Sequence, residues 1–335
     1  MRYYFIAILM AITSCTGLDN DYGPGNVNET PQSSVPVGVI ILNEGNFQLG
    51  NASVDVFDKT TGSISRSVFQ SSNDRPLGDI AQSMLIDADT GYIVINNSGK
   101  VEKVLLPSME SIGTLDGLSS PRYMIKIDDN KAYISDFLSG RISVIHPTFL
   151  TTIKEIETSG WTEKMFRYDN WIYVQSISDS GMYIIDALQD LVIGFVSIPD
   201  LIDVTMMDHR ELACLTKGGL SILDMANAEV FPVAQANRFN TFSRIDYNPI
   251  SKQVYVLSGN LLQYSLNSHE LDTLYFSDER SLYGLKVDRV TGDVYLTDAK
   301  DFVQNGEVLW LSPDGEVQEI LEVGKIPQAI QFLTE

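Results

Sequence analysis

Few side chains in this 335-residue sequence are suited to covalent or metal chemistry. There are three histidines, His146, His209 and His269, and two cysteines, Cys15 and Cys214. Two cysteines cannot build a disulfide framework or a Cys-rich zinc site, and three scattered histidines leave little for His-based catalysis. No GxSxG, HExxH, Walker A or GxGxxG pattern occurs after residue 36. What remains is carboxylates, arginines, amides and aromatic rings, the equipment of recognition. The candidates for holding a bulky amphipathic ligand are Arg75, Asp79, Arg122, Tyr123, Trp161, Glu163, Asn240, Tyr283 and Gln328. Such a ligand needs apolar area plus a few placed hydrogen bonds. Were the same groups catalytic, the chemistry would be lactone hydrolysis, by an arginine with a carboxylate or by a divalent cation on Glu163, Asp203 and Asn240.

Those candidates come from a repeat. A β-branched run, usually centred on tyrosine, recurs at positions 92, 133, 173, 213, 255 and 295, with spacings of 41, 40, 40, 42 and 40. An acidic residue just upstream recurs with a similar period, at Asp87, Asp128, Asp169, Asp208, Asp246 and Asp288. Its expected role is to hydrogen-bond the turn between the first and second strands of each unit. The second unit breaks into strands at about Ala81 to Ile86, Tyr92 to Asn96, Val101 to Leu106 and Ser111 to Leu115, with turn-forming residues between them. Four strands per forty residues is the period of a β-propeller blade. The fold class is therefore all-β, a seven-bladed propeller of four-stranded blades over residues 37–335. The first unit lacks a strand before Val37, and the tail Gln328 to Leu333 is one strand long, so the tail is expected to close the ring.

In a propeller, the loop from one blade's fourth strand enters the next blade's first strand, which lines the central channel. These seams fall at about 71–81, 118–123, 159–164, 198–203, 236–241, 277–283 and 325–328, and contain every candidate named above together with Asp203 and Arg238. Arg122 and Trp161 each begin a channel-lining strand, where the one could cross-link blades and the other plug the channel. Long insertions at Glu44 to Asn51 and Ser71 to Asp79 would raise one rim. Met84, Met124, Met165 and Met206, near the repeat period, are expected in the core, and Cys214 is expected to be buried and inert.

Charge narrows the partners. The 23 basic and 44 acidic residues leave a net charge of −21, which argues against nucleic acid or an anionic membrane surface as partner. Residues 1–14 have a basic start and a short apolar stretch, too short to span a bilayer, and read as a signal peptide. Ile12-Thr13-Ser14-Cys15 resembles a bacterial lipobox, making Cys15 the expected lipidation site and residues 15–36, rich in Gly, Asn, Pro and Ser, a flexible tether. Membrane contact would then run through the lipid anchor alone.

Asn43-Glu44-Gly45-Asn46, Arg75 to Gln82, Asn97 to Glu102, Ser120 to Tyr123 and Gly160 to Glu163 together resemble the YncE-like propeller lipoproteins of Bacteroidetes. The resemblance covers about residues 37–333 and extends to the surface cobalamin-capturing propellers of the BtuG type. It implies an outer-membrane, cell-surface lipoprotein that binds a small extracellular ligand, with a corrinoid favoured, and passes it to a TonB-dependent transporter. No cofactor or metal is implied, cobalamin being a ligand. Asp19 and Asp21 resemble a surface-export signal, and Asp272-Thr273-Leu274 a short O-glycosylation pattern. The alternatives are a propeller that docks another envelope protein and the lactonase above.

Overall fold

A computed structural model describes residues 35–236 and 239–334. The expected signal peptide, Cys15, nearly all of the tether and Arg238 lie outside the described residues. The described chain forms seven antiparallel sheets of four strands each. Blades two to seven take their strands in chain order, with innermost strands Ala81–Asp87, Pro121–Asp128, Thr162–Tyr168, Leu201–Met206, Arg244–Asn248 and Leu282–Val287. Blade one is composite: Gly38–Asn43, Ser53–Asp58 and Ser63–Ser65 are joined by Pro327–Leu333, which becomes the innermost strand. Val39 pairs with Phe332 and Ile41 with Ile330, so the last strand closes the ring as the sequence predicts. A short helix, Val68–Asn73, sits where an insertion is expected and buries Phe69 against the first two blades.

Each second strand is buried along nearly its whole length because blades stack on both its faces; Ile93-Val94-Ile95 is fully covered. The methionines at the repeat period are buried in these interfaces. The repeat tyrosine fills the interface with its ring, and in blades two to four its hydroxyl also ties one blade to a turn of the next. Tyr92 bonds the Pro147 carbonyl, Tyr133 the Asp190 carboxylate and Tyr173 the Met225 carbonyl. Cys214 stands in the same layer with no exposure, and burial pushes its thiol up to about 12, so the thiolate is not formed at neutral pH.

The acidic marker is corrected in part. Asp128, Asp208 and Asp288 do accept amide hydrogens from the following turn. Asp87 instead takes Lys126 of the next blade, and Asp169 shows no such side-chain bond. Asp246 lies two positions too early: Asn248 caps that turn, accepting from Ile250 and Ser251, while Asp246 points into the blade interface.

Candidate functional site

The channel is built by a local irregularity repeated around the ring. In six blades the pairing of the innermost strand slips near its beginning: at Ala81/Ser83, Pro121/Met124, Thr162/Met165, Leu201/Asp203, Leu282/Gly284 and, opposite Leu42/Asn43, at Gln328. A β-bulge breaks the alternation of faces, so two neighbouring residues can look the same way. Both members of each pair line one cavity: Gln82 and Ser83, Arg122 and Tyr123, Glu163 and Lys164, Ile202 and Asp203, Tyr283 and Gly284, Gln328 and Ala329. Blade six lacks the slip and contributes Arg244, with Thr241 and Phe242 from the preceding loop.

The cavity has a volume of about 550 Å³ and is lopsided. The residues just before the paired apolar position of each inner strand are Gly284, Ala329 and Ser83 on blades seven, one and two, but Tyr123, Lys164, Asp203 and Arg244 on blades three to six. The small residues leave the space and the long ones furnish the opposite wall. Gly284 is required there, since a Cβ would stand 2.2 Å from the Gln328 carbonyl oxygen.

A chain of polar contacts runs across blades two to four. Nε of Arg122 lies 2.8 Å and 3.0 Å from the two carboxylate oxygens of Glu163, and its terminal nitrogen donates to Gln82. Trp161 donates its indole N–H to Glu163 and packs edge-on against Phe137, with ring centres 4.5 Å apart. Lys164 meets Asp203 at 2.7 Å, and Asp203 also accepts the amide of Ile245. Burial opposes ionisation of Asp246, but the charges of Lys286 and Arg289 and the amides of Val287 and Tyr247 outweigh it and hold the carboxyl below its usual range. Burial, and then the charge of Glu163, pushes the Tyr123 hydroxyl upward, so it stays protonated and can donate.

Sequence reasoning missed Arg244 and Phe242 on the cavity wall, and it missed Glu44 beside it. Glu44 sits at the start of the loop between the second and third strands of blade one, Gly38–Asn43 and Ser53–Asp58, and the Tyr283 hydroxyl lies 3.4 Å from both its carboxylate oxygens. Enclosure by protein raises its pKa to about 7, against the opposing charges of Arg122 and Arg244 and the Tyr283 hydrogen bond. The signal available was the insertion itself, in a loop on the same face as the seams and beside the closing strand.

Of the nine candidates, the cavity wall gathers Arg122, Tyr123, Trp161, Glu163, Tyr283 and Gln328. The other three lie elsewhere, for stated reasons. Arg75 is drawn away to the buried carboxylate of Glu102 and to Ser111 on blade two. Asp79 anchors the Glu44 loop, accepting the Gln48 amide at 2.7 Å and the Asn97 side chain. Asn240 accepts the Phe242 amide at 2.8 Å, a turn that sets Phe242 at the mouth. The cation site imagined for Glu163, Asp203 and Asn240 is therefore not assembled: Asn240 is outside the cavity and both carboxylates are held by basic side chains. Among the described residues no group of three or more His, Cys, Asp or Glu side chains is placed to hold a metal, and no helix is long and apolar enough to cross a membrane.

Fold and cavity together define a seven-bladed propeller with a half-open, mixed-charge central cavity. The chain belongs to the family described as a domain of unknown function, DUF5074, which it matches over residues 37–313. No curated protein sequence matches it. Among solved structures it is similar to a quinonprotein alcohol dehydrogenase-like protein from Bacteroides thetaiotaomicron, at 12% identity and TM-score 0.68 over 92% of this chain and 79% of that one. It is also similar to a functionally unknown protein from Desulfotomaculum acetoxidans, at 13% identity and TM-score 0.66 over 88% and 98% of the two chains. A third likeness is to AztD from Citrobacter koseri, at 14% identity and TM-score 0.56 over 88% and 83%. At these identities the likenesses establish the propeller fold and nothing about ligand or reaction.

Proposed function

We propose that this protein captures a small extracellular molecule in the channel cavity and presents it to an outer-membrane transporter of the TonB-dependent class, while lipid-anchored through Cys15. The observation that carries the reading is the cavity itself, about 550 Å³ within the channel, into which the inner strands of all seven blades bring side chains. Rings on three sides, Trp161, Phe242 and Tyr283, supply apolar area around it. The volume lies in the range of about 300–1,000 Å³ usual for drug-sized ligands. A corrinoid, the class favoured by resemblance, is larger, so it would rest across the mouth with an edge group inserted.

Calorimetric titration of the purified chain with cyanocobalamin tests the corrinoid form. A dissociation constant near or below about 1 nM is expected for capture. No heat and no thermal shift at excess ligand would remove corrinoids and leave the cavity to a smaller molecule. A lactonase reading has one observation in its favour, the Arg122–Glu163 pair beside the near-neutral Glu44. It predicts hydrolysis of a chromogenic lactone that is lost in Glu44→Gln.

A further inference from the structure

The charges lining the cavity do not follow those of the chain. Four basic side chains, Arg122, Lys164, Arg244 and Lys286, face three acidic ones, Glu163, Asp203 and Asp246, in a protein with nearly twice as many acidic as basic residues. Three of the cations are committed. Arg122 holds Glu163, Lys164 holds Asp203, and Lys286 acts on Asp246 together with Arg289. Arg244 differs: its guanidinium donates to the main-chain carbonyls of Thr241 and Ser243, at 3.2 and 3.1 Å, and among the described residues no carboxylate is in ion-pair contact with it. Glu44 is near enough to feel its charge, yet with its pKa at about 7 it carries only part of a negative charge at neutral pH.

A guanidinium satisfied only by neutral carbonyls, beside a half-open cavity with aromatic walls, suits a carboxylate, because charge-assisted bonds are roughly twice as strong as neutral ones. We propose that the channel selects a small monocarboxylate with an apolar or aromatic body, its carboxylate on Arg244 and its body between Phe242, Trp161 and Tyr283. One surplus cation matches one negative charge. The proposal rests on the capture reading above, but not on the identity of the ligand as a corrinoid.

The test compares three probes of one shape, 1-naphthoate, 1-naphthylmethanol and 1-naphthylmethylamine, titrated calorimetrically into the purified protein, the Arg244→Gln variant and the Arg141→Gln variant. Arg141 is on the outer part of blade three, paired with Glu155, and controls for the loss of one positive charge. The acid should bind at least about tenfold more tightly than the alcohol, and the amine most weakly. Arg244→Gln should abolish the preference for acid over alcohol, and Arg141→Gln should keep it. Equal affinity for acid and alcohol, or a preference that survives Arg244→Gln, overturns the carboxylate assignment and leaves the capture site standing. Absence of binding by all three probes overturns the carboxylate assignment, and the cyanocobalamin titration decides the capture reading separately.

Discussion

Arg122 of blade three and Glu163 of blade four are joined through one nitrogen set between two oxygens, at 2.8 and 3.0 Å. The same arginine reaches Gln82 of blade two, so three inner strands depend on one guanidinium. Arg122 is therefore a strut between blades as well as part of the cavity wall.

Arg122→Ala should cost about 3 kcal/mol of stability, because it leaves the carboxylate of Glu163 buried without its cation. Glu163→Gln with Arg122 intact should cost less, since the amide still accepts a hydrogen bond. Chemical denaturation of both variants checks the order, and a loss under about 1 kcal/mol in Arg122→Ala would show that solvent replaces the pair.

The pKa of Glu44 predicts a pH dependence. Its carboxyl is raised from 4.5 to about 7 in the folded chain. Below the lower value both folded and unfolded chains hold the proton. Between the two, only the folded chain does, so stability falls as pH rises and levels off above the higher value. The full loss is on the order of 3 kcal/mol. Glu44→Gln should match the wild type near about pH 4 and exceed it at about pH 8. Parallel stability curves for the two proteins would mean that Glu44 ionises normally.

Glu102 is buried and accepts from Arg75, Lys100, Ser111 and Thr114, which binds the Arg75 segment to blade two. Glu102→Ala should cost about 3–5 kcal/mol. Arg75→Ala, with its guanidinium partly in solvent, should cost less and leave ligand affinity unchanged. A loss of affinity in Arg75→Ala would return it to the binding site.

Ring closure depends on the last strand. Deleting residues 328–335 removes the inner strand of blade one together with Ile330 and Phe332, the latter edge-on to Tyr295 at 5.3 Å. The melting temperature should fall for the whole domain in one transition. The milder Phe332→Ala should cost about 3–5 kcal/mol. An unchanged melting temperature after the deletion would contradict closure.

The repeat made the architecture legible, because the tyrosines at forty-residue spacing fill the same interface in successive blades and cannot drift without unpacking it. Counting outward from them also located the strand starts, and with them the six of the nine candidates that share the cavity wall. Three kinds of information were hidden. Bulges do not mark an alternation pattern, so the doubled contribution of Glu163 with Lys164, or Tyr283 with Gly284, was visible only in the pairing register. Arg75 and Asp79 belong to an insertion, where the repeat gives no register, and each found a partner nearer than the channel. Glu44 came from a different blade and loop than the seams, and only ring closure brings it to Tyr283.

The central claim is that the channel holds a small molecule, and Trp161 reports on it directly. The chain has three tryptophans, of which Trp161 lines the cavity while Trp171 and Trp310 do not. Fluorine NMR of protein labelled with fluorotryptophan, with Trp161 assigned through Trp161→Phe, should show that one resonance shifting saturably as 1-naphthoate is added while the other two stay fixed. Three unmoved resonances, or movement confined to Trp171 or Trp310, would contradict the account.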